Sequence, residues 1–269
     1  MKRNIICALL ALALMGSIVD IVLAAPLKDG FDGLALTLQS SQPSYVLGEL
    51  VKLKIKVANK TGQAVSLSGA PDVWTGAVKV FIASGEGPFK EYFGPGWGLR
   101  CVMAAPQVEI SPGGSIETAA AVLYNHRMET RQLSEMYVRE INRKRLGTDY
   151  AFVRPGVYRL KAVLQKEDRT LESEALEIEI REPQGADRSI WEVLREDPEL
   201  GFFVQTGSPK SSPETPRSQQ LKATLERLVG SFPEGRQVEG ILASLAEYHA
   251  LLESLRASQM QGVEPFDEE

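Results

Sequence analysis

Arg154-Pro155-Gly156-Val157-Tyr158-Arg159-Leu160-Lys161-Ala162-Val163-Leu164 decides how the rest of the chain is read. Pro155 fixes φ and Gly156 tolerates positive φ, so the chain turns sharply there. Beyond the turn, Tyr158, Leu160, Ala162 and Leu164 alternate with Arg159, Lys161 and Gln165, and Val163 is the one apolar residue on the outer face. A period of two predicts a strand with one face in a core. After a polar turn over 165–169, Leu176, Ile178 and Ile180 alternate with Glu177, Glu179 and Arg181. Paired as a hairpin, these strands put Arg159 and Lys161 on the same solvent face as Glu177 and Glu179, so opposite charges meet across the ladder.

Upstream the same period recurs. Leu34, Leu36 and Leu38 predict a first strand, and Val51, Leu53, Ile55 and Val57 a second, with Lys52, Lys54 and Lys56 facing water. Such a lysine row reads as an anion-binding stripe or as a solvated strand face that discourages edge pairing. Further strands start at Val65 and Val78, and another runs from Ser115 to Tyr124. Between them, 84–100 is rich in glycine and proline, which bar a long regular element. Its aromatics, among them Tyr92 and Trp97, either form a recognition surface or fold back to cap the sheets. Residues 126–146 carry Leu133, Met136, Tyr137 and Ile141 at helical spacing beside Arg127, Arg131, Arg139 and Arg143. They predict an inserted basic amphipathic helix that meets a partner or an anionic surface, or covers a sheet edge. Arg131, Tyr137, Arg139, Tyr92 and Trp97 are the candidate interaction residues.

After Pro183 the pattern turns helical. A helix is expected within 184–204, a Ser/Pro/Thr-rich flexible linker over 205–218, a helical hairpin over 219–258 and a disordered tail over 259–269. At the other end, Lys2 and Arg3 precede an apolar run from Ile5 to Met15, and small residues follow to Ala25. Residues 1–25 read as a secretory signal peptide, which makes the mature chain periplasmic or extracellular.

Several of these residues carry a resemblance. Gly156-x-Tyr158-x-Leu160 resembles the end of an immunoglobulin-like domain, where a Tyr near the start of the penultimate strand turns its hydroxyl back onto upstream backbone, two residues before a Cys. Leu160 stands in the Cys position, so the resemblance implies an apolar pair in place of the disulfide. Gln42-Pro43-Ser44-Tyr45-Val46-Leu47-Gly48-Glu49 and the strand after it look like the start of bacterial secreted immunoglobulin-like domains, and are similar to the bacterial intracellular proteinase-inhibitor domain. Leu225-Glu226-Arg227-Leu228 through Phe232-Pro233-Glu234 resembles one tetratricopeptide-type helix–turn–helix unit. The implied fold is mainly β: an immunoglobulin-like antiparallel β-sandwich over 32–183 with an inserted helix and a small α-helical C-terminal extension.

Composition narrows function by exclusion. The 269 residues are 43% hydrophobic and 24% charged, with a net charge of −5, an ordinary globular balance that argues against nucleic acid as main partner. From Glu182 onward there are 16 acidic and 8 basic residues, so the C-terminal helices carry the negative charge and are expected to dock on the basic inserted helix. Cys101 is the one cysteine outside the signal, too few for an internal disulfide, and reads as a buried small hydrophobe. His126 and His249 have no supporting catalytic motif, and no HExxH, CxxC or P-loop is present. No metal or cofactor is expected. The sequence reads as an exported, non-enzymatic protein-binding or envelope scaffold protein with a protein partner. The alternatives are a peptidase inhibitor presenting loop 84–100, as the inhibitor resemblance implies, and a carbohydrate-binding module using Trp97.

Overall fold

The computed structural model describes residues 31–73, 76–94, 107–126, 146–166 and 169–261. The alternating stretches form strands with their apolar residues inward. Strand β9 (Gly156–Lys166) lies inside a six-stranded sheet. Its order is β2 (Ser44–Val46), β11 (Leu176–Arg181), β9, β5 (Val78–Ser84) and β6 (Lys90–Tyr92), with β10 (Arg169–Glu172) also on β9. Every pairing in it is antiparallel except that of β2 with β11. A three-stranded antiparallel sheet of β1 (Leu34–Ser40), β3 (Val51–Asn59) and β8 (Ser115–Val122) has β3 in the middle. β1 lies against β9, β10 and β11. Strands β4 (Val65–Ser68) and β7 (Gln107–Ile110) form a separate pair. The buried face of β9, Tyr158, Leu160, Ala162 and Leu164, shares one core with Leu53, Ile55 and Val57 of β3.

The expected hairpin partner of β9 is displaced by one element. β9 turns first into β10, and only then does β11 pair with it. Ser173 brings the chain back, because its N–H donates to Ala162 O and its Oγ accepts from Ala162 N–H, both at 2.9 Å. Glu177 sits opposite Arg159 as expected, while Lys161 pairs with Glu172 of β10 at 2.6 Å.

Four helices follow: α1 (Ala186–Glu196), α2 (Pro198–Thr206), α3 (Pro216–Ser231) and α4 (Val238–Gln261). The single helix expected over 184–204 is broken at Asp197, because Pro198 disfavours helical backbone in the residue before it. Asp197 is extended, and its carboxylate accepts from Glu199 N–H at the start of α2. The linker expected over 205–218 is helical at both ends, since α3 already begins at Pro216. Gln205 and Thr206 close α2, and Gly207 ends it in the left-handed region at φ 64°. Ser218 Oγ donates to Ser212 O, and Tyr248 Oη donates to Pro213 O at 2.7 Å. Hydroxyls of Thr206 and Ser218 thus bond to nearby main chain. Helix α4 runs to Gln261, past the expected start of the tail. Residues 1–30, positions 127–145 of the expected inserted helix, Trp74, Trp97 and Cys101 lie outside the described residues.

The helices complete the core of the sheets. Ile190, Trp191 and Leu194 of α1, Phe203 of α2, Leu225 of α3 and Tyr248 of α4 join the same buried cluster as the strands. The Tyr150 ring stands edge-on to Trp191 at 5.0 Å, and its hydroxyl donates to Leu194 O. Gly201 makes room for that ring, since a Cβ there would lie 2.5 Å from it.

Trp191→Ala is therefore expected to cost about 3–5 kcal/mol. The loss falls on sheets and helices together, as one transition in urea unfolding followed by far-ultraviolet circular dichroism. Separate transitions for the two would overturn the shared core.

Candidate binding groove

A groove of about 680 Å3 lies between the β2–β3 turn and the start of α4. Each wall depends on a glycine. Gly48 has φ 80°, and a Cβ there would lie 2.8 Å from the Trp191 ring. Gly235 seats the α3–α4 turn against Ile190. Side chains from both walls then meet. Arg236 Nε lies 3.2 Å from Glu49 Oε2, and Arg236 Nη2 donates to Ser44 O at 3.0 Å. Gln42 Nε2 donates to Glu49 Oε1 at 2.6 Å. Arg236 is itself fixed, because its backbone N–H donates to Asp187 Oδ1 at 2.7 Å. Gln237, only 2% exposed, donates to Leu47 O and Asp187 O.

Further along, Lys52 Nζ meets Glu239 at 2.6 Å. The neighbouring Lys54 and Lys56 both reach Glu117, at 2.5 and 3.2 Å, and these contacts hold the Glu117 carboxyl below the usual carboxylate range. The lysine row is thus neutralised by carboxylates on β8 and α4. Among these exposed ion pairs the groove also carries an apolar residue, since Leu242, on the first turns of α4, is 50% exposed.

Of the sequence-based site residues, Trp97, Arg131, Tyr137 and Arg139 lie outside the described residues. Tyr92 is described and is no surface residue, being 1% exposed. Its hydroxyl donates to Tyr124 O at 2.7 Å and accepts from Gln205 Nε2 at 2.6 Å. Gln205 Nε2 also donates to Ala121 O, and its Oε1 accepts from Leu123 and Tyr124 N–H. Phe93 is buried, and Phe89 lies under the Arg159 and Lys161 cations at 5.4 and 5.1 Å. In the described half of loop 84–100, the aromatics therefore fold back onto the protein. The two histidines occupy separate elements. His126 follows β8, and His249 stands on α4 in a hollow lined by Glu214, Lys222, Glu253 and Arg256. Among the described residues, no group of three or more His, Cys, Asp or Glu side chains is placed to hold a metal ion. No described helix is long and apolar enough to cross a membrane.

The sequence did not mark Arg236, Glu49 or Leu242 as site residues, and the helical period put Leu242 on the inward face with Ile241, whereas it is half-exposed. Gln42 and Glu49 did stand in the quoted start of the sheet region, but their partner Arg236 lies 187 residues beyond Glu49, and no local period marks it.

No protein-family model matches the chain, and no curated protein matches it. Solved structures with some likeness include a β-glucosidase from Erythrobacter marinus, 11% identical, covering 55% of this chain and 15% of that one at a TM-score of 0.30. An alkylpurine DNA glycosylase from Pseudomonas fluorescens is 13% identical, covering 59% of this chain and 32% of that one, also at 0.30. The CARDB domain of a Pyrococcus furiosus protein is 10% identical, covering 55% and 94%, at 0.27. The chain thus spans less than a third of the length of the two enzymes, and likeness this slight carries no functional argument.

Burial pushes the hydroxyls of Tyr92 and Tyr150 well above the ordinary tyrosine range; the Gln205 hydrogen bond offsets part of this at Tyr92, and Asp197 adds to it at Tyr150. Their contribution to stability is full below the unfolded-state value of about 10 and is lost as pH rises beyond it. Urea midpoints are accordingly expected to hold to about pH 10 and then fall. The fall should be shallower in Tyr92→Phe, measured from that variant's own neutral-pH value. An equally steep fall would remove Tyr92 as a source.

Proposed function

We propose that this chain is an exported, non-enzymatic protein-binding or scaffold protein, and that its groove between the β2–β3 turn and α4 is a contact surface. One observation carries the reading. The charged side chains lining the groove are paired with one another, while Leu242 stands half-exposed among them. Paired charges in fixed positions serve recognition better than proton transfer, and an exposed leucine on a rigid helix suits an apolar anchor from a partner. Export is supported by Lys2, Arg3 and the apolar run that follows them.

An immunoglobulin-like sandwich is the finer reading of the sheets. Strand order supports it, since the chain crosses from the three-stranded to the six-stranded sheet between β1 and β2. So does Tyr158, whose hydroxyl donates to Arg154 O at 2.9 Å, the corner contact implied by the resemblance. Phe89, Tyr92 and Phe93 lend no support to an inhibitory or sugar-stacking role for loop 84–100, because each is engaged within the fold.

The test is affinity capture from an envelope extract with wild-type, Leu242→Glu and Leu255→Glu baits. Both leucines are exposed, at 50% and 38%, so neither change should unsettle the fold beyond about 0.5 kcal/mol. A partner held by wild type and Leu255→Glu, and about tenfold weaker with Leu242→Glu, is expected for a contact at the groove. Equal retention by all three baits would sink the assignment of the surface.

A further inference from the structure

Strand β2 ends the six-stranded sheet, yet its outer side is occupied. Pro43 O accepts from Glu179 N–H and Leu47 N–H donates to Arg181 O, both toward β11. Alternation along the strand then turns the main-chain groups of Ser44 and Val46 outward. Ser44 O accepts from Arg236 Nη2 at 3.0 Å, and Val46 N–H donates to Glu49 Oε2 at 2.9 Å. Val46 O accepts from Glu49 N–H at 3.0 Å. One donor and one acceptor side chain, joined as an ion pair, stand where a neighbouring strand would put its own N–H and C=O.

The two halves of the pair come from different places. Glu49 is local to the turn after β2. Arg236 arrives on the α3–α4 turn, held by Asp187 of α1 and by the Gln237 contact to Leu47 O. The occupied edge therefore depends on the docked helices. An open strand edge is a template for its own copy, because two identical edges related by a two-fold axis pair antiparallel without any other complementarity.

We infer that Arg236 and Glu49 form a plug on the β2 edge, and that the helical unit, by supplying Arg236, keeps this edge closed to strand pairing with a second copy of the chain. This goes beyond the binding reading and stands whether or not Leu242 meets a partner.

The test uses the full chain and the double variant Glu49→Ala/Arg236→Ala, which removes both charges and leaves neither orphaned. At low concentration, Val46 amide exchange should quicken about tenfold or more, with Leu160 and Ile178 in β9 and β11 unchanged. At high concentration, sedimentation should show association beyond that of wild type, and adding Val46→Pro should abolish it, since proline removes the outward donor. Wild-type exchange at Val46, or a bared Val46 with no added association, would overturn the plug. If the double variant unfolds, Glu49→Ala decides, because it removes the acceptor of the Val46 N–H. Faster exchange confined to Val46 supports the inference, and unchanged exchange overturns it.

Discussion

Gln205 is the contact on which the rest of the architecture leans. Strand β8 is an edge of the three-stranded sheet, and the groups at its end, Ala121 C=O and the N–H of Leu123 and Tyr124, face the interior side of α2. The Gln205 amide meets all three and the Tyr92 hydroxyl besides. Leaving such buried groups unpaired costs about 1–3 kcal/mol each. The sheet edge and the helix must therefore stay together. Once α2 is placed, α1 follows through the tight Asp197–Pro198 break, which sets Trp191 against Tyr150 and Leu194 under the Tyr150 hydroxyl. Helices α3 and α4 then close over Phe203 through Tyr248, whose rings lie 5.1 Å apart.

The same helical unit serves an edge strand of the other sheet, β2, by the same means. At β8 a neutral amide supplies both donor and acceptor, and at β2 an ion pair divides the two roles between Arg236 and Glu49. The difference follows from surroundings. Gln205 is 8% exposed, where a charge would lose its hydration, whereas the Arg236 side chain keeps 36% of its surface in solvent. Surface charge follows a similar economy. The β3 lysines are balanced by Glu117 and Glu239, so the three-stranded sheet shows water a mixed, paired face in place of a basic stripe.

The strands were legible because burial on one face writes itself into every second residue. Tyr158 to Leu164 and Val51 to Val57 carry that mark, and their pairing through β9 and β3 follows it. That the chain turns helical after Pro183 was legible for the corresponding reason. What stayed hidden was set by single side chains acting over long separations. Nothing near Gln205 announces that its amide will end a strand more than eighty residues earlier. The serines and threonines of 205–218 have the composition of a linker, and nothing local marks the bond that Tyr248 makes to Pro213 O. Tyr92 left two readings open for a similar reason, since an aromatic among glycines is assigned to surface or core only once a buried partner is found for its hydroxyl.

The groove inherits its shape from these constraints. Its floor and walls come from segments far apart in the chain, brought together where Gly48 and Gly235 let backbone approach Trp191 and Ile190 more closely than any side chain would allow. Glycines at such approaches leave little room for adjustment on either wall, because the atoms they touch belong to the shared core. A partner entering beside Leu242 would meet charges already paired and backbone already fixed, so little ordering would be left to the moment of binding. The close packing that holds the helices to the sheets thus also sets what a partner at the groove would meet.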